Sequence, residues 1–199
     1  LHVFHLTTEK EMELFTSGEV DNKKITAEVC VHHMHFNNSY YAELGNQIKC
    51  NPSIKMESDR LALIDALKGN KIDIIATDHA PHTWDEKNQD YPSAPAGLPL
   101  VQHGLQILMD FYHEGILSLE MIVEKTSHNV AKRFQIKDRG YIREGYYADL
   151  TVLDLGKPYE VSKENILYKV GWSPFTGKTF NSSIFMTVVN GHIAFQDGK

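Results

Sequence analysis

The feature that most limits what this chain can fold into is an alternation. Short apolar, β-prone runs are each closed by a polar, metal-competent residue, and helical patterns lie between them. The opening Leu-His-Val-Phe-His-Leu reads as a buried strand, residues 25–31 as a second and residues 72–77 as a third. Between the first two, Thr8-Glu9-Lys10-Glu11 is a capping box, which predicts a helix that buries Met12, Leu14 and Phe15 and stops near Gly18. Glu57-Ser58-Asp59 opens a longer helix with Leu61, Leu63, Ile64 and Leu67 at helical spacing and Gly69 as its stop. A Pro-rich loop from Pro81 to Pro99 leads to helices near residues 101–113, 118–125 and 129–134.

Buried strands that alternate with helices call for a parallel sheet covered on both faces. In such sheets chemistry collects at the carboxyl ends of the strands. His5 falls near the end of the first strand, His32 and His33 after the second, and Asp78 after the third. From about Tyr141 the texture changes. Residues 147–154 read as a strand, and residues 184–189 and 192–195 flank Asn190-Gly191, a pair suited to a type I′ hairpin. The expected organisation is therefore an α/β portion over 1–140 and a β-rich segment over 141–199.

Composition excludes several functions. Twenty Lys and Arg against 26 Asp and Glu give a net charge of −6 with no basic stripe, which argues against nucleic acid as a partner. No apolar run approaches the roughly 20 residues of a membrane span, and no signal peptide opens the chain. Cys30 and Cys50 are too few for a disulfide framework and suit a reducing cytoplasm, where both read as buried small hydrophobes.

The densest constellation is Ala76-Thr77-Asp78-His79-Ala80-Pro81-His82. A carboxylate directly after an apolar strand can bind a metal, move a proton, or both, or it can merely cap a turn. His5 gains weight as a ligand from Asp78 at an equivalent strand end. His32, His33 and His35 invite a cluster reading, but adjacent residues of an extended chain point in opposite directions. Hydrogen bonding or packing is the favoured reading for that trio. Asn51, restrained by Pro52, can offer donor and acceptor to a polar substrate or satisfy its own turn. Pro95-Ala96-Gly97 can present backbone amides to an anion or simply begin a helix.

Val3-Phe4-His5-Leu6-Thr7-Thr8, Glu28-Val29-Cys30-Val31-His32-His33, Asn51-Pro52-Ser53-Ile54-Lys55 and above all Thr77-Asp78-His79-Ala80-Pro81-His82 resemble, in order, the motifs of dihydroorotase in the amidohydrolase superfamily. Gly145-Tyr146-Tyr147-Ala148-Asp149-Leu150, Ser173-Pro174-Phe175 and Val189-Asn190-Gly191 resemble the C-terminal β segment of that family, so the likeness runs end to end.

The resemblance implies a metal-dependent (β/α)₈ TIM barrel of which this chain carries strands six to eight and the β-rich tail. It implies a two-zinc centre, with His5 a ligand of one zinc and Asp78 a ligand of the other and the proton shuttle. Asn51 and His82 would hold the substrate carboxylate, helped by the backbone at Ala96 and Gly97. The implied reaction is reversible hydrolysis of dihydroorotate to N-carbamoyl-L-aspartate in pyrimidine biosynthesis. Zinc would lower the pKa of the attacking water to about 7 and polarise the carbonyl.

The departures also carry information. The family's His-X-His pair, its bridging lysine, a further histidine and a substrate-binding arginine belong to strands before the sixth, and Leu1 already lies on the sixth. Ser53-Ile54-Lys55 stands where Pro-Leu-Arg is usual. A complete barrel takes about 250 residues. The chain is thus expected to be the C-terminal portion of such an enzyme, inactive alone, and either a homo-oligomer or completed by the missing strands. A hydantoinase- or allantoinase-like hydrolase and a non-catalytic scaffold subunit are the competing readings.

Overall fold

In the computed structural model, which describes residues 1–196 and 198, three short strands form a parallel sheet in the order β1 (His2–Val3), β2 (Thr26–Cys30), β3 (Ile74–Ala76). His2 pairs with Thr26 and Val3 with Ala27, while Glu28 pairs with Ile74 and Cys30 with Ala76. Ala27, Val29 and Cys30 are fully buried, as expected for a middle strand covered on both faces. Parallel pairing sends all three carboxyl ends to one rim. Among the described residues β1 and β3 each pair on one side only, so the sheet has two open edges.

The helices are α1 (Val31–His35), α2 (Tyr41–Leu44), α3 (Glu57–Lys68), α4 (Trp84–Lys87), α5 (Gly104–His113), α6 (Leu119–Val123) and α7 (Asn129–Arg133), and α1 packs against β2, α3 and α5. The helix expected at 57–68 is present as α3, buries Leu63, Ile64 and Leu67, and ends at Gly69, while Leu61 faces solvent. The Thr8–Glu11 capping box also forms, with Glu11 Oε2 accepting the Thr8 N–H at 2.8 Å. It caps only a six-residue 3₁₀ helix, Glu9–Leu14, in which Met12 is buried and Leu14 is 77% exposed. A tight 3₁₀ turn cannot keep three successive apolar side chains on one face. The π-helical turn Glu124–His128 joins α6 to α7 and turns Asn129 inward, where its side-chain amide donates to Asp73 O at 2.9 Å.

The second sheet is antiparallel, ordered β4 (Leu150–Asp154), β7 (Ser183–Val189), β8 (His192–Gln196), with the pair β5 (Tyr159–Glu160) and β6 (Thr179–Phe180) beside it. Asn190 and Gly191, at φ 53° and 81°, make the expected hairpin turn. Val161, Phe175 and Phe180 join the main core together with Ile107, Leu108 and Phe111 of α5. None of the helices in the described residues is long and apolar enough to cross a membrane.

His35 and His103 sit in this core around Phe175, with ring centroids 5.5 and 5.9 Å away. Burial pushes both imidazoles down to about 4. Because the folded values lie below the unfolded value near 6.5, the unfolded chain binds more protons between pH 6.5 and 4. Stability from neutral burial is therefore present above pH 6.5 and lost as pH falls through that window. Urea midpoints measured at pH 7 and pH 5 are expected to drop, and His103→Phe to reduce the drop. Equal midpoints would contradict the buried neutral state.

Candidate metal and substrate site

The rim formed by the carboxyl ends of β1, β2 and β3 gathers the polar groups. His5 follows β1 by two residues and Asp78 follows β3 by two. Both have left-handed backbones, at φ 40° and 48°. That region is uncommon for residues other than glycine, and such strain concentrates at functional sites. β2 stands between them, so two strand spacings, roughly 10 Å, separate the two chains. His5 is half-buried, its Nδ1 is buried with no hydrogen-bond partner among the described residues, and Asp78 is exposed. An orphaned imidazole nitrogen and an exposed carboxylate on one rim suit cations better than they suit each other.

Between them lies a group that sequence reasoning set aside. The chain turns helical at Val31 rather than staying extended, so His32 and His33 are both buried, with ring centroids 4.0 Å apart. Potential ligand atoms of Cys30, His32 and His33 all lie within 4.8 Å of one another. The His33 Nε2–H donates to Pro52 O at 2.9 Å, which leaves Nδ1 as the lone-pair nitrogen. Both ring nitrogens of His32 and Nδ1 of His33 are buried without partners among the described residues.

Burial pushes the His32 imidazole well down, helped by the neighbouring His33 and His5. Burial raises the Cys30 thiol, and the charge of Asp78 raises it further. His5 and Asp78 thus act electrostatically on the same floor. Without a cation Cys30 stays a thiol; a bound cation would invert that preference. The packing reading holds for His35, which lies against Phe36 and Phe175.

The remaining predicted residues meet on the loops beside β3. His82 Nε2–H donates to Ala96 O at 3.1 Å, and Trp172 Nε1–H donates to His82 O at 2.8 Å. Gly97, at φ 137°, lies so close to Ala80 that a Cβ would stand 2.4 Å from Ala80 O. Its N–H is committed to Lys49 O at 2.9 Å, so the amide of this loop with no protein partner among the described residues is that of Ala96. The Lys49 loop also carries Asn51, exposed at a cis peptide bond to Pro52. His79 is occupied otherwise, its Nδ1 accepting from Leu100 N at 3.0 Å.

A cleft of about 880 Å³ lies elsewhere, lined by Ile75, Thr77, Leu108, Ile122, Tyr141 and Leu153. The rim made of three strands has no opposite wall among the described residues.

A family model described as "Amidohydrolase family" matches residues 2–194. The chain belongs to the amidohydrolase family.

Among curated amidohydrolase relatives, a dihydroorotase of Endomicrobium trichonymphae is 36% identical over 197 residues, covering 98% of this chain and 47% of its own length. One of Carboxydothermus hydrogenoformans is 36% identical over 200 residues, covering 98% and 46%. The chain therefore spans about half the length of the curated relatives it matches. Among solved structures, an L-hydantoinase (dihydropyrimidinase) from Arthrobacter aurescens superposes with a TM-score of 0.91 at 24% identity, over 100% of this chain and 45% of that one. That likeness concerns the fold: this chain is a mixed α/β part of the amidohydrolase architecture.

Two functional candidates escaped the sequence. The Cys30–His32–His33 group depends on an abrupt strand-to-helix switch at Val31, and no proline, glycine or side-chain cap marks it. Lys87, buried among the loops that carry Lys49 and Pro95–Gly97, ends a capped turn where a lysine ordinarily faces water, and no local pattern distinguishes it.

Proposed function

We propose that this chain is the C-terminal portion of a dihydroorotase, carrying barrel strands six to eight as β1, β2 and β3 within residues 1–140 and a β segment over 141–199. It works in the cytoplasm on the reversible hydrolysis of dihydroorotate to N-carbamoyl-L-aspartate. The observation that carries this reading is the common rim, where His5 and Asp78 end parallel strands beside the His82–Ala96 and Asn51 loops. The dihydroorotase relatives and Asp-His-Ala-Pro-His favour this substrate over a hydantoin.

His5, through its unpartnered Nδ1, and Asp78 would hold a zinc pair, which supplies an acidified water and Lewis acidity toward the ring carbonyl. The Asp78 carboxylate takes the proton of the attacking water and returns it to the departing ring nitrogen. Asn51, His82 and the Ala96 amide hold the substrate carboxylate, while Gly97 lets that loop approach Ala80.

Two ligands fall short of the three or more that a catalytic zinc ordinarily takes from its protein. The open sheet edges and the apolar cleft beside β3 support completion by further strands, from upstream sequence or a second copy.

Dihydrouracil is dihydroorotate without its carboxylate, so the pair isolates the proposed anion grip. The longer protein carrying this chain is expected to open dihydroorotate at least about 100-fold more efficiently than dihydrouracil or hydantoin, since a site built for a polar group rejects the analogue that lacks it. The 199 residues alone should turn over neither. Preference for the uncharged rings would establish a hydantoinase instead.

A further inference from the structure

Lys87, at the end of α4, is only 2% exposed. Its Nζ donates to three backbone carbonyls: Lys49 O at 3.1 Å, Pro95 O at 3.0 Å and Gly97 O at 2.9 Å. An ammonium has three N–H donors, and all three are used. Two loops far apart in sequence are thereby drawn to one centre. One carries Asn51, two residues beyond Lys49; the other carries Ala96, between Pro95 and Gly97. The Gly97 N–H to Lys49 O bond adds a direct tie, and His82 joins through Ala96 O.

We propose that Lys87 is a positioning residue that sets the spacing of Asn51 and the Ala96 amide, so that both grip one carboxylate of a small acidic substrate. This rests on the roles given above to Asn51 and Ala96. A neutral side chain at 87 would leave Pro95 O and Gly97 O without their donor and Lys49 O with the Gly97 N–H alone, and the loops would separate to hydrate them. Among the described residues no carboxylate lies within 4.0 Å of Nζ, so its charge also favours an anion held between the loops. Burial pushes the ammonium down to about 8; above that pH the clamp loses one donor.

The test uses Lys87→Met and Lys87→Arg in the longer protein. Two readouts are taken: steady-state kinetics with dihydroorotate, and amide hydrogen exchange over residues 49–52 and 95–98. Lys87→Met is expected to raise KM about tenfold or more with kcat within about threefold, the signature of lost uniform binding. Exchange should accelerate in those two segments and not in α3. Lys87→Arg, which keeps charge and several donors, should recover part of KM. The wild-type KM should climb above pH 8 while that of Lys87→Met stays flat. An unchanged KM, or faster exchange spread evenly over the chain, overturns the proposal. If wild type does not open dihydroorotate, the substrate reading fails. The exchange data then still decide the clamp: equal protection of both loops in variant and wild type refutes it. Should Lys87→Met not fold, Lys87→Arg and Lys87→Gln decide by the same two readouts.

Discussion

Replacing Asp78 by Asn in the longer enzyme is expected to lower kcat for dihydroorotate by roughly 10³-fold or more, because one change would remove both roles proposed for this carboxylate, ionic metal ligand and proton relay. The melting temperature should hardly move. Asp78 is exposed and sits at φ 48°, a backbone conformation that Asn tolerates as readily as Asp. Asp78→Ala has the same chemical loss and adds about 1 kcal/mol of left-handed backbone cost. The separation of activity from stability is what distinguishes a working carboxylate from a turn cap. Initial rates and calorimetric melts of the two variants measure it. Near wild-type turnover by Asp78→Asn would make Asp78 structural.

Gly97→Ala carries the largest expected stability effect. The new Cβ would lie 2.4 Å from Ala80 O and 2.8 Å from Ala80 Cβ, at φ 137°, and 3.2 Å from His82 Cδ2. Two of these contacts are with rigid atoms of a loop already tied by the Ala80 N–H to Leu98 O bond at 3.1 Å, so the strain cannot relax through a rotamer. Overpacking and backbone strain together cost about 3 kcal/mol or more, which for a chain of this size lowers the melting temperature by roughly 6–12 °C. Gly171→Ala is the matched control. Its φ is 69°, but nothing lies within 4 Å of the added carbon, so it bears only the conformational cost of about 1 kcal/mol. Equal melting shifts for the two variants would mean that the approach of Gly97 to Ala80 is not tight.

What could be read in advance followed local rules. The three strands, α3 with its Gly69 stop and the Asn190-Gly191 hairpin each have a short-range signal: apolar runs, helical spacing, a turn pair. Parallel pairing then forced His5 and Asp78 onto one rim. What escaped depends on partners distant in sequence or on an unmarked change of period. His32 and His33 came together because the chain turned helical within one residue of Cys30, and Cys30 makes no side-chain cap that would announce it. Leu14 faces solvent because a 3₁₀ turn, not an α-helix, follows the Thr8–Glu11 cap. Lys87 is buried by carbonyls 38, 8 and 10 residues away, which no local window reveals. Val161, Phe175 and Phe180 reach the core of the first sheet by tertiary packing, although they belong to the β-rich segment.

The central claim is that His5 and Asp78 converge on metal ions, and anomalous diffraction at the zinc edge from crystals of the longer protein tests it most directly. The account predicts one peak about 2.0–2.1 Å from a His5 ring nitrogen and another about 2.0–2.2 Å from an Asp78 carboxylate oxygen. Zinc found only among Cys30, His32 and His33, with His5 and Asp78 unligated, would contradict it.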